Sequence, residues 1–189
     1  MDIRALRNIA VVSISNGEKV GVVDDILLDT NQRRIQSFVI GSGGLFGGKT
    51  GIVDMADVRS IGTDAIMIED RSVIHGSRDE DRYRAFPDVR AVTSLRVVTA
   101  SGEFVGNLDT LQVEPASGAI AALEVAKGGL LGAFRSNNII PVEQVISIGR
   151  DVAVVPDQYS EAGTTVTAET EPGSEPPTGA SGTPTPHSA

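Results

Sequence analysis

Through residue 160 the chain reads as short apolar stretches cut by glycines, asparagines and charged residues. Alternation with a period near two predicts strands close to Ala10–Ile14, Val20–Leu28, Ile35–Ile40, Ile52–Met55, Val58–Ile61 and Ala65–Ile68. The turns between them have chemical reasons. Asn16-Gly17 offers two residues tolerant of positive φ, as a tight hairpin requires, and Asp29-Thr30-Asn31-Gln32 is a polar turn. No apolar stretch at helical spacing lies between these strands, so crossover helices over a parallel sheet are not expected; successive strands should run antiparallel.

The pattern then repeats. Gly17-Glu18-Lys19-Val20-Gly21 falls on Gly102-Glu103-Phe104-Val105-Gly106, and the same offset puts Asp24 on Asp109, Ile35 on Ile120 and Gly43-Gly44-Leu45 on Gly128-Gly129-Leu130. After a slip of two residues, Val58-Arg59-Ser60-Ile61-Gly62-Thr63-Asp64 lies on Val145-Ile146-Ser147-Ile148-Gly149-Arg150-Asp151. A small open sheet leaves its edges unpaired, whereas a curled or closed sheet removes that problem. The expected fold is therefore all-β: two tandem, strongly bent antiparallel barrels over residues 1–70 and 92–160, joined by a linker at 71–91. A unit of roughly 60–70 residues buries little surface, so the two copies are expected to support each other. The linker, charged around Arg78-Asp79-Glu80-Asp81-Arg82, should be a short helix or ordered loop, and the Thr/Pro/Gly/Ser/Glu-rich tail at 161–189 should be disordered.

The run Gly17-Glu18-Lys19-Val20-Gly21-Val22-Val23-Asp24-Asp25-Ile26-Leu27-Leu28-Asp29, followed by Phe38-Val39-Ile40 and Asp57-Val58-Arg59-Ser60-Ile61-Gly62, resembles a PRC-barrel domain. The stretch from Gly102 to Gly149 resembles the same family, with Asn107-Leu108-Asp109 in the acidic position and Pro141-Val142-Glu143-Gln144-Val145 before Ser147-Ile148-Gly149. The resemblance implies a bent antiparallel barrel like those in the cytoplasmic part of the photosynthetic reaction-centre H subunit and in the C-terminal half of a ribosome-maturation factor. There the barrel binds proteins and does no covalent chemistry. No run here reads as the spanning helix of the first, and the first half reads as a barrel copy in place of the separate N-terminal domain of the second, so neither specific job is expected to carry over.

Composition narrows the function. Hydrophobic residues make up 40% of the chain but aromatics only 4%, so the core must be built from Val, Ile, Leu and Ala, a strand-forming vocabulary. A formal charge of −9 repels polyanions and anionic membranes, which argues against direct nucleic-acid binding. The absence of cysteine excludes disulfides, thiol nucleophiles and thiolate metal sites. Met1-Asp2-Ile3-Arg4-Ala5-Leu6-Arg7-Asn8 lacks a signal-peptide core and no later run could span a bilayer, so a cytoplasmic protein without membrane insertion is expected.

Gly43-Gly44-Leu45-Phe46-Gly47-Gly48-Lys49-Thr50 satisfies the phosphate-loop pattern, but such a loop must open a helix, and Gly51-Ile52-Val53-Asp54 reads as strand. The second copy also lacks the Gly-Lys-Thr ending. Leu45, Phe46, Leu130, Leu131 and Phe134, bulky groups set among glycines, are expected either to pack the barrels together or to form a docking patch. Alternation aims Asp24 and Asp25 at opposite strand faces, so with Asp29 they read as solvated charge rather than a metal site. His75 falls in the linker and His187 in the tail, which supports neither a triad nor a zinc site. Tyr83, Arg84 and Phe86 are expected to pack on a barrel rather than to form a binding patch. No catalytic residue, cofactor or metal is expected. The expected role is a protein-interaction or assembly module, with another protein as partner. The alternatives are a small-ligand or nucleotide-binding role through the Gly43–Thr50 loop or a cleft between barrels, and a ribosome-maturation-associated role.

Overall fold

The computed structural model describes residues 1–42, 49–76, 80–126 and 137–160. The first unit contains β1 (Ala10–Ser13), β2 (Lys19–Asp29), β3 (Arg34–Gly41), β4 (Lys49–Asp54), β5 (Val58–Ile61) and β6 (Ala65–Ile68). Two short helices follow, α1 (Asp81–Arg84) and α2 (Val89–Thr93). The second unit contains β7 (Arg96–Thr99), β8 (Phe104–Val113), β9 (Ile120–Ala126), β10 (Asn137–Pro141), β11 (Ser147–Ile148) and β12 (Val152–Val155). The strand orders are β4-β3-β2-β1-β6-β5 and β10-β9-β8-β7-β12-β11, so the units share one topology. Neighbours pair antiparallel except β1 with β6 and β7 with β12, which are parallel. The parallel pair is where each sheet curls round to bring its last hairpin beside its first strand.

Bending is written into the two long strands. Register shifts interrupt β2 between Val23 and Asp25 and between Leu27 and Leu28, and β8 at the matching places, each raising local twist. Where β2 folds against β3, a Cβ on Gly21 would lie 2.5 Å from the Gly41 carbonyl oxygen; Gly106 would meet the Ala126 oxygen at the same 2.5 Å. Only glycine permits that approach, which explains its presence at the same point of both copies.

The units are joined by more than a linker. Residues 1–6, although they precede β1, lie on the second unit: the Val113 N–H donates to the Met1 carbonyl at 2.8 Å, and the Met1 ammonium donates to the Val113 carbonyl at 3.0 Å. The chain then returns, and the Val23 N–H donates to the Ile9 carbonyl within the first unit. Pro87-Asp88-Val89 makes the reverse crossing, with the Leu28 N–H donating to the Pro87 carbonyl at 2.9 Å. Between these exchanged arms, Arg34 and Ala119, equivalent residues of the repeat, face each other in an antiparallel bridge. The Ile35 N–H donates to the Gly118 carbonyl and the Ile120 N–H to the Arg33 carbonyl, at 2.7 and 2.8 Å, so the bridge has the symmetry of a two-fold axis. Ile3, Leu6, Val89 and Val92 are buried in an apolar core continuous through both units.

Candidate functional site

The outer face of the first sheet is apolar where β2, β3 and β4 run side by side: Leu27, Val39 and Ile52 form a separate buried cluster with Tyr83 of α1, and Phe86 packs against it. The linker reaches this face in two steps. His75 adds to the edge of β4, exchanging N–H to carbonyl bonds with Ile52 at 2.9 and 3.0 Å. Tyr83 then closes over the face, only 1% exposed, and Arg82 stacks on its ring with the guanidinium carbon 4.4 Å from the centroid.

A polar group sits at the end of this cluster. Ser37 and Asp54 are cross-strand partners of β3 and β4, and the Ser37 hydroxyl donates to Asp54 Oδ1 at 2.7 Å. The Tyr83 hydroxyl donates to the same oxygen at 3.1 Å. His75 Nε2 lies 3.4 Å, and Arg82 Nη1 4.0 Å, from Asp54 Oδ2. Burial first, and then the Asp54 carboxylate, push the Tyr83 hydroxyl well above its ordinary range, so it remains a donor at neutral pH. Asp57 completes the group: ligand atoms of Asp54, Asp57 and His75 all lie within 4.8 Å of one another. That set could reach one divalent cation. However, Asp54 already accepts two hydroxyl donors and faces Arg82, whose charge opposes a second cation. What the geometry does is fasten the linker to the first sheet.

In the sequence His75 reads only as a linker residue, and neither Ser37 nor Asp54 stands out. A signal was present in the repeat. The second unit has Ala122 and Pro141, again cross-strand partners, where the first has Ser37 and Asp54. The aliphatic Leu27 and Val39 become Gln112 and Glu124, which hydrogen-bond to each other, while Ile52 becomes Ile139, left 61% exposed.

The other residues singled out from the sequence separate from this group. Leu45, Phe46, Leu130, Leu131, Phe134 and the tail at 161–189 lie outside the described residues. Lys49 and Thr50 begin β4, so the glycine run leads into a strand and not a helix. Asp24 falls at a bulge and its carbonyl accepts from Arg7; Asp29, expected as solvated charge, is instead buried, because its carboxylate caps the turn by accepting from the Asn31 and Gln32 N–H groups.

Two clefts lie between the units at equivalent places. One, of about 460 Å³, is lined by Thr30, Asn31, Arg84, Pro87, Leu95 and Arg150, among others; its counterpart, of about 380 Å³, has Pro115 and Ala116 in place of Thr30 and Asn31.

The model of the PRC-barrel domain matches residues 1–73 and again 89–161. The chain belongs to the PRC-barrel family. Each matched stretch contains the six strands of one sheet, so the tandem duplication inferred from the repeat is present in sequence and fold alike. An uncharacterized protein of Clostridium acetobutylicum is similar to this chain, 33% identical over 70 residues that make up 35% of this chain and 80% of the relative. That relative is therefore about one PRC barrel long. Among the described residues, no helix is long and apolar enough to cross a membrane.

Proposed function

We propose that the protein is a non-catalytic interaction or assembly module whose paired PRC barrels present surfaces to another protein, in the cytoplasm. The observation that carries this reading is the combination of a symmetric frame with asymmetric faces. The exchanged arms and shared core join the two barrels into one body, while the outer faces built by equivalent strands differ: one is sealed by the linker, the other carries Gln112, Glu124 and the exposed Ile139. The Ser37–Asp54–Tyr83 group supports a structural rather than a chemical use of its polar residues, because its bonds point inward to the linker. Cross-linking in native lysate followed by mass spectrometry tests the proposal: one stoichiometric protein partner is expected, and a lysate that yields none refutes it.

A second reading rests on the larger inter-unit cleft. Its size suits a small ligand, and Arg84 and Arg150 would favour an anionic one, although Arg84 also pairs with Asp81 at 3.3 Å. Thermal-shift titration with phosphate and ATP tests it: stabilisation lost in Arg150→Ala supports this use, and no stabilisation removes it. The net charge of −9 speaks against the ribosome- or RNA-linked alternative.

A further inference from the structure

The repeat supplies an internal comparison for the edges of the two sheets. In the first unit the outer edge of β4 is occupied: Ile52 turns both its N–H and its carbonyl outward and exchanges them with His75. In the second unit β10 holds the same place, Ile139 stands where Ile52 does, and its cross-strand partner Glu124 stands where Val39 does. Equivalent register turns the Ile139 N–H and carbonyl outward too. Among the described residues no segment pairs with that edge, and the Ile139 side chain is 61% exposed.

We propose that the outer edge of β10 receives an extended, basic segment of a partner protein by antiparallel strand addition. This deepens the interaction-module reading and rests on it. On β4 the linker shows that this edge takes backbone pairing, through the exchange of N–H and carbonyl bonds at the single residue His75. The side chains define its chemistry. The residue opposite Ile139 is apolar, since it shares the outer face with that side chain, and a neighbouring Lys or Arg comes within reach of Glu124. The overall charge of −9 favours a basic segment and disfavours pairing of two copies of this chain, which would bring their Glu124 residues towards each other. Pro141 occupies the next outward position beyond Ile139 and has no N–H to give, so the added strand is short and ends there.

The test uses the full chain labelled with 15N and a capped, fluorescent peptide in which Lys and Val alternate. Matched probes carry Glu for Lys or N-methyl groups on alternate backbone nitrogens. The Lys-Val peptide should shift the amide signals of Asn137–Ile139 and of β9. Both matched probes should lose binding, and Ile139→Asp should weaken it at least tenfold with an unchanged melting temperature. Glu124→Lys should reverse the preference towards the Glu-Val peptide. Equal binding to Ile139→Asp, signal changes scattered over the surface, or an Ile139 amide as protected from exchange as that of Ile52 each overturns the proposal. A concentration-dependent dimer abolished by Ile139→Asp overturns it in favour of self-pairing. A cross-linked partner mapped to another face removes this edge as the dock while leaving the interaction-module reading in place.

Discussion

Replacing Ile3 by Ala tests the exchange of N-terminal arms. Ile3 belongs to the first copy in sequence, yet its segment lies along β8 of the second unit, and its side chain is fully buried in the shared core. The substitution removes three buried carbons, a transfer loss of roughly 2–2.5 kcal/mol. A cavity that cannot fully collapse brings the expected cost to about 2–5 kcal/mol. For a chain of this size each kcal/mol lowers the melting temperature by about 2–4 °C, so a loss near 3 kcal/mol gives a fall of roughly 6–12 °C. Differential scanning calorimetry should show one transition, shifted as a whole, because the two units share one core. Hydrogen exchange should show the largest loss of protection in β8, beginning at the Val113 amide whose acceptor is the Met1 carbonyl. Val89→Ala should produce the mirror effect, with the loss centred on β2. A fall in melting temperature below about 2 °C, or a loss of protection confined to β1–β3 in Ile3→Ala, would refute the exchanged-arm reasoning.

Tyr83→Phe removes the hydroxyl that donates to Asp54 while keeping the ring over Leu27, Val39 and Ile52, and should cost about 1 kcal/mol in chemical denaturation. The folded pKa of Tyr83 is raised, so its contribution is fully present below the ordinary phenol value of 10.0 and is lost as pH rises through the folded value; in Tyr83→Phe this alkaline loss of stability should shrink. Gly106→Ala forces a Cβ to within 2.5 Å of the Ala126 oxygen, and should lower the melting temperature more than Gly102→Ala, which meets open space and strains only a positive φ. Arg33 adopts a positive φ of 54° while its guanidinium donates to the carbonyls of Val142 and Val145, each at 2.7 Å. Arg33→Gly relieves about 1 kcal/mol of backbone strain but loses charge-assisted bonds of about 1.5–3 kcal/mol each, so net destabilisation is expected on urea titration.

Much of the fold was legible because the rules that fix it are local. β5 and β6 fall on the residues that alternation marks, and β1, β2, β3 and β4 lie within a few residues of expectation, since strand periodicity and turn chemistry both act over neighbouring residues. A turn forms at the expected place with Gly17 at φ 70°, but Asn16 does not take a positive φ and the connection between β1 and β2 is a five-residue loop instead of a tight two-residue turn; Tyr83 and Phe86 pack on the first barrel. The parallel β1–β6 and β7–β12 contacts were not legible, because they join elements distant in sequence and leave no periodic mark. The arm exchange left a trace that strand patterning passes over: Met1-Asp2-Ile3-Arg4-Ala5-Leu6 matches Pro87-Asp88-Val89-Arg90-Ala91-Val92, so the repeat begins before its first strand. Asp54 was hidden for a different reason. Its partners come from β3, the β4 edge segment and α1, and only folding brings Ser37, His75 and Tyr83 to one carboxylate.

Fusion of the two copies explains how a symmetric frame can carry unlike faces. In a dimer of single barrels every substitution appears twice, so a Leu27-to-Gln or Val39-to-Glu change would strip both outer faces of their apolar surface at once. In one chain the copies diverge independently. The first keeps Leu27, Val39 and Ile52 and covers them with the linker that the fusion itself created; the second, having no such linker after it in the described residues, exchanges the two central aliphatics for Gln112 and Glu124 and retains Ile139 at the edge. Had that outer face served only solubility, a polar residue at position 139 would have been the simplest outcome. A large aliphatic group kept at an edge that no described residue pairs, beside a carboxylate and ahead of a proline that ends pairing, has the form of a short and selective strand dock.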